Sequence, residues 1–332
     1  MTKVFNVDEV KSLITMKDVV ESVDKTFCGL ADGTVINPTK VTLDLGESAP
    51  YPPYDGFFNA MPAYIGYQDY AGIKWVGGIL GERKKAGLPF ICGMILLANP
   101  RLGKFLAVMD GAYITNLRTG AQTAIALKHI FKERKTIKLG LYGCGMQGHT
   151  QTQAIAEVFD IEEMHVYDAY PPAAEKFKAD MKDTVKGEII ICDNPKDACV
   201  GDAVITVTQA KDGFLQGDWV KPGTVVFPMG SYKEVDDSVI LQADGIVVDH
   251  VGQALHRGAL HDLVQQGKLG EQNITTTIGE LALGAADLGD ISDKRIVCIP
   301  IGTGAMDIAV AGIAYERGIA RGMGVDFDIT GE

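Results

Sequence analysis

Basic residues are scarce in this chain. Its 332 residues carry 31 Lys and Arg against 43 Asp and Glu, a formal charge of −12. That balance disfavours nonspecific binding to nucleic acid or anionic lipid, because both need clustered positive charge. Long apolar runs are also lacking. The longest, Phe90–Ala98, is far shorter than the roughly 20 residues that span a bilayer. Met1–Val10 has neither the basic nor the apolar region of a secretory leader, so a cytoplasmic protein is expected. The six cysteines (Cys28, Cys92, Cys144, Cys192, Cys199 and Cys298) form no C-x-x-C pair and no Cys/His cluster at metal spacing. This argues against a metal site and predicts buried, reduced thiols. There is no solenoid repeat and no low-complexity tract, and the length accommodates two domains.

What is present centres on Lys138–Asp168, which reads as strand, glycine turn, helix and second strand. The apolar run Ile137 to Tyr142 ends at Gly143, and Gly143, Gly145 and Gly148 stand as G-x-G-x-x-G. The first glycine allows the tight turn, the second lets a pyrophosphate approach the backbone, and the third lets the next helix pack on the strand. A helix from about Met146 to Phe159 points its free N–H groups and positive dipole end at the phosphates. The strand Glu163 to Tyr167 then delivers Asp168, placed to accept hydrogen bonds from an adenosine ribose. In a chain with 39 glycines the triplet alone would mean little; the surrounding elements make it a dinucleotide site. No Arg or Lys stands among Ala169, Tyr170, Pro171 and Pro172 to hold a 2′-phosphate, so NAD is favoured over NADP.

Upstream, apolar residues at helical spacing predict two helices over residues 7–32, broken near Thr15. The β-type runs 41–45, 57–65, 71–78, 90–98 and 104–110 follow without a helix-length segment between them, which predicts an antiparallel or mixed sheet. Gly46–Gly56, with Pro50, Pro52 and Pro53, reads as an exposed loop. Residues 112–131 form a long helix beginning near Thr115 and bridging to the nucleotide unit. The β-branched runs 188–192, 203–208, 224–229, 245–250 and 295–301 continue a parallel sheet, and a last helix spans Ile308–Gly318. The fold class is α/β: a Rossmann dinucleotide-binding domain (121–304) inserted in an α+β substrate-binding and dimerisation domain (1–120), with residues 305–332 returning to the first.

A nicotinamide cofactor implies hydride transfer beside a bound substrate. Lys74 lies inside the apolar strand AGIKWVGG, either facing solvent or buried; a desolvated lysine has a lowered pKa and suits proton transfer or anion binding. Arg118, near the start of the bridging helix, is either an exposed helix arginine or a bidentate clamp for a carboxylate. His149 and the pair Asp249 and His250 are lesser candidates, and Asp307 reads as a cap or brace for the final helix.

The strings MPAYIG, GIKWV, LAVMDGAYITNLRTGAQTAIA, LYGCGMQGHTQ, WVKPGTVV, GIVVD and GTGAMDIAVAGIAYERG resemble, in order and spacing, the ornithine cyclodeaminase/μ-crystallin family over nearly the whole length. The resemblance implies an NAD-dependent enzyme of a small amino, imino or oxo acid, usually a homodimer. It makes Lys74 and Arg118 catalytic, with Lys40 joining them on the substrate carboxylate. It assigns the cofactor to Thr119, Gly143, Gly145, Met146, Gln147, Gly148, Asp168, Thr208, Ile301 and Gly302. The expected reaction is that of an amino-acid dehydrogenase or imine reductase; the alternatives are a cyclodeaminase and a non-catalytic NAD-binding protein like the crystallin member. Two departures matter. Lys40 stands where the family often has an arginine, and cannot supply a bidentate fork. Where cyclodeaminases place an essential aspartate, this chain has Tyr232 in a shortened loop 230–238, with Asp236 or Asp237 as the nearest substitutes.

Overall fold

The structure, a computed structural model, describes residues 1–46, 54–230, 232–328 and 331. The prolines of the expected 46–56 loop, and Ser231 of the 230–238 segment, lie outside the described residues. The chain divides into two compact units, one comprising Met1–Arg118 with Thr303–Glu332, the other Thr119–Gly302.

In the first unit an eight-stranded mixed sheet runs in the order Val325–Phe327, Thr2–Phe5, Lys104–Asp110, Ile91–Asn99, Tyr70–Ile79, Gly56–Ile65 and Val35–Ile36, with Val41–Asp44 also paired to Gly56–Ile65. Side chains alternate between the two faces of a sheet, so the pairing register sorts them. One row, Met61, Lys74, Ile95 and Met109, lies on the face that the helices cover. The row one residue along, Val41, Ala60, Trp75 and Met94, points the other way.

The helices on the covered face start where the sequence signals it. Asn6 and Thr15 cap Val7–Leu13 and Met16–Asp32, each with a reciprocal capping box, which is why the helical pattern breaks at Thr15. The terminal helix Gly304–Ala320 lies so close to the sheet that a Cβ on Gly304 would stand 2.6 Å from the Met61 carbonyl oxygen. Arg317 grips Asp18 with two bonds of 2.6 Å, tying this helix to Met16–Asp32 and holding the Asp18 carboxyl well below the usual range. Three short strands, Thr2–Phe5, Val35–Ile36 and Val325–Phe327, carry no alternation long enough to read in sequence.

The second unit is an all-parallel, eight-stranded sheet in the order Glu188–Ile191, Asp160–Tyr167, Thr136–Tyr142, Ala203–Thr206, Val225–Pro228, Ile296–Ile299, Gly245–Val248 and Thr276–Thr277. Its central strands are buried throughout, as their unbroken β-branched runs require. The chain builds outward from Thr136–Tyr142 on one side, then returns to lay Ala203–Thr206 on the other. That reversal puts the end of Thr136–Tyr142, and hence Gly143, at the topological switch point where α/β sheets bind ligands. The core beneath includes Tyr142, Val204, Val226, Val248 and Ile299. Among the described residues no helix is long and apolar enough to cross a membrane.

Candidate active site

In the first unit four polar side chains meet: Lys74, Thr115 and Asp307 close a ring of hydrogen bonds, and Arg118 joins it at Asp307. Lys74 Nζ donates to Asp307 Oδ2 at 2.6 Å and to Thr115 Oγ1 at 3.3 Å. Thr115 Oγ1 and Arg118 Nε donate to Asp307 Oδ1 at 3.1 and 3.3 Å. Lys74 and Asp307 are fully buried and Arg118 is 7% exposed, so the solvent-facing alternatives for both cations are excluded. The sequence places them together for three local reasons. Lys74 occupies an inward position of its strand; Thr115 and Arg118 are three apart on the helix Ala112–Phe131, hence on one face. Gly304 lets the terminal helix approach the sheet, and Asp307, one helical step later, follows it in.

Burial, and next the charge of Arg118, push the Lys74 ammonium down to about 7, with the nearby Lys40 charge adding to them and Asp307 acting against them. This is the amine expected of a group that exchanges protons near neutrality. Asp307 is not a cap. The helix starts at Gly304 behind Thr303, which makes no capping bond, and Asp307 sits inside the first turn facing Lys74.

In the second unit the three glycines do three different things. Gly143 has φ of +99° and turns the chain. A Cβ on Gly148 would lie 2.4 Å from the Gly143 carbonyl oxygen, so the helix Met146–Ala156 starts tight against the turn. Around Gly145 no atom of the described residues lies within 4 Å of where a Cβ would stand. Its exposed backbone opens the helix N-terminus, with Met146 65% exposed beside it, and this is the cradle a pyrophosphate fits. Asp168 braces the turn, accepting from the Cys144 and Tyr170 backbone N–H groups at 2.8 and 2.9 Å; a carboxylate has acceptor sites beyond these for a ribose. Thr119 offers its carbonyl to Gln151 Nε2 at 3.2 Å, and at Gly120 a Cβ would lie 2.2 Å from the Thr150 carbonyl oxygen, which puts Thr119 beside this same helix. His149 turns to the Gly145 carbonyl and Asp180, at 2.9 and 3.0 Å.

Two carboxylates that sequence reasoning gave little or no part hold the remaining candidates. Glu234, 1% exposed, accepts from Thr206 Oγ1 at 2.9 Å, from Gly230 N at 2.6 Å and from the backbone N–H of Thr208. Asp249 Oδ2 accepts from Gly302 N at 2.6 Å, at a residue whose φ of +83° requires glycine, and so sets the loop containing Ile301. The acids offered as substitutes for the cyclodeaminase aspartate are otherwise engaged. Asp236 caps the helix Asp237–Leu241 through Ser238 N, and Asp237 pairs with Lys233 at 2.9 Å. The thiol expectation needs correction too: Cys144, Cys199 and Cys298 are buried, but Cys28, Cys92 and Cys192 are only half-buried, although all six are unpaired with one another. The helix Ala112–Phe131 begins three residues before Thr115, and the sequence offered Thr115 only as a helix start and Asp307 only as a cap or brace, not as partners of Lys74.

The profile of the ornithine cyclodeaminase/mu-crystallin family matches residues 1–321. Alanine dehydrogenase of Archaeoglobus fulgidus is 34% identical over 327 residues, covering 97% of this chain and 97% of the relative. A solved archaeal alanine dehydrogenase dimer with bound NAD is similar with a TM-score of 0.89 at 33% identity, covering 99% of each chain. The solved Δ1-pyrroline-2-carboxylate reductase of Thermococcus litoralis, in complex with NADH and L-proline, is similar with a TM-score of 0.89 at 28% identity, covering 98% of this chain and 100% of the other.

Proposed function

The chain belongs to the ornithine cyclodeaminase/mu-crystallin family, and we propose that it is a cytoplasmic NAD-dependent oxidoreductase acting on the C–N bond of a small amino or imino acid. The observation that carries this reading is Lys74, an amine sealed from solvent beside a guanidinium and a carboxylate and held near neutrality. Arg118 holds the substrate carboxylate with a parallel pair of N–H groups, its Nε going to Asp307; Lys40 adds charge. Lys74 exchanges the proton at the substrate nitrogen or at an activated water. Gly143, Gly145, Met146, Gln147 and Gly148 hold the cofactor pyrophosphate, Asp168 a ribose, and Thr119 the phosphates. Thr208 would also contact the cofactor, and Ile301 and Gly302 would stand beside the nicotinamide, the group that supplies the hydride chemistry when bound.

The direction of the proton sets the pH dependence. Oxidation of an amino acid needs neutral Lys74, so kcat/KM rises as pH passes about 7; reduction needs the ammonium, so it falls over the same interval. Profiles measured in the two directions should therefore be opposed, and parallel profiles would remove Lys74 from the proton path. The test of the function is the NADH absorbance with a panel of amino acids plus NAD and of oxo acids plus amines and NADH. Net NADH change supports the reading. Ammonia release from ornithine with no net change would make the protein a cyclodeaminase, which the engagement of Asp236 and Asp237 disfavours. Tight NADH binding with no turnover would make it a binding protein.

The chain is further proposed to act as a homodimer through the uncovered face of its mixed sheet. There Val41, Leu43, Trp75 and Met94 are 69, 52, 50 and 62% exposed, and Trp75 and Met94 are directly opposite in register. A contiguous apolar patch of this kind marks an interaction surface. The double variant W75E/M94D is expected to elute and scatter as a 35.6 kDa monomer where the natural chain gives twice that mass; an unchanged mass would place the interface elsewhere.

A further inference from the structure

This inference deepens the reading above and rests on it. We propose that Asp307 is a positioning residue of the reaction: one buried carboxylate that holds Lys74 and Arg118 at a fixed separation and acts as counter-ion to the lysine while its proton is exchanged with substrate nitrogen. The geometry carries the argument. Oδ2 is given to Lys74 at 2.6 Å, while Oδ1 is shared between Thr115 and Arg118 at 3.1 and 3.3 Å, so each oxygen serves one of the two cations assigned to substrate. The cap position belongs to Thr303, and the carboxylate is fully buried. A buried set of ions is a poor way to stabilise a fold, since apolar side chains of the same volume do it as well or better. A role in the chemistry explains why charges are kept there.

The terminal helix presents Asp307, the helix Ala112–Phe131 presents Thr115 and Arg118, the segment before Val41–Asp44 brings the Lys40 charge, and the adjacent strands place Met61 and Ile95 opposite Lys74. Among the described residues Asp307 is the anion that opposes burial and the charges of Arg118 and Lys40 at Lys74. In reduction, the hydride that bound NADH would supply, becoming NAD, adds to the imine carbon, the Lys74 ammonium gives its proton to the nitrogen, and a proton from solvent restores the ammonium; oxidation runs the same transfers backwards. Without the anion, Lys74 would be neutral at pH 7 and empty-handed in the reductive direction.

The test is D307N in the full-length protein. The expected result is a kcat for reduction lower by about a hundredfold, with its pH limb displaced to the acid side by about one unit or more, and NADH affinity unchanged. A purely structural role would not move the pH limb. Direct titration of the Lys74 13Cε resonance, assigned through K74M, should show the same acid displacement. Should D307N fail to fold, D307E keeps the charge but moves it by one methylene, and a kcat reduced about tenfold or more with intact NADH binding sustains the proposal. Unmoved titration and activity within about threefold in D307N, or natural activity in D307E, would overturn it. If the natural enzyme turns over no amino or imino acid, the functional reading fails, and the Lys74 titration still decides the part assigned to Asp307.

Discussion

K74M should lose nearly all turnover while keeping its fold and its affinity for NADH. Removing a general acid or base costs about 10²–10⁴ in rate, and Lys74 also forms part of the carboxylate-binding cluster, so kcat/KM is expected at the lower end of that range. The fold survives for a specific reason. Breaking a buried pair costs about 3–5 kcal/mol when a charge is left bare, but here Asp307 retains Thr115 and Arg118 on its other oxygen, and methionine fills much of the lysine's volume. K74R separates the two contributions. Arginine keeps the positive charge but does not give up its proton near neutrality, so substrate affinity should persist while kcat falls. Steady-state kinetics beside NADH titration would decide it, and a K74M enzyme retaining a tenth of natural activity would dismiss the amine from the chemistry.

G145V should do the opposite, leaving stability alone and abolishing cofactor binding. Gly145 sits at φ −81°, ψ −160°, extended backbone that valine adopts readily, and a Cβ there meets nothing within 4 Å among the described residues. The free protein should therefore melt as before, within the roughly 0.5 kcal/mol of an ordinary surface substitution. The new side chain stands where the pyrophosphate must reach the helix N-terminus, and a hundredfold loss of NADH affinity, about 2.7 kcal/mol, is expected. G148A is the contrasting case. Its Cβ would lie 2.4 Å from the Gly143 carbonyl oxygen, so the turn itself must shift, at a cost of about 1–3 kcal/mol without cofactor present. Melting curves of both variants with and without NADH distinguish the two. Equal destabilisation of the free proteins would mean that the open side of the turn has been misplaced.

These two expectations differ in how far the sequence foretold them. The glycine turn is local: strand, three glycines, helix and Asp168 lie within one βαβ unit, and each requirement on backbone conformation is met by the residue at that position. Buried strands show the same legibility, because β-branched runs declare both their conformation and their environment. Short pairing segments such as Thr2–Phe5 do not, since four residues are too few to show a period. The three half-buried thiols were hidden for a related reason: composition says that cysteine is usually buried, not where a given one will stand.

Asp307 marks the boundary between the two kinds of knowledge. Read in sequence, an aspartate just after GTGAM looks like part of a helix start; in the structure the helix is already under way, and the side chain meets a lysine 233 positions earlier. What the chain by itself determined was the nucleotide-binding turn, the buried strands, and the presence of Lys74 and Arg118 in apolar surroundings. Only the tertiary structure decided that one carboxylate joins both cations out of water. Backbone preferences act over a few neighbouring residues, whereas the ionisation of an amine depends on whichever charges folding brings within a few ångströms of it and on the solvent that folding takes away.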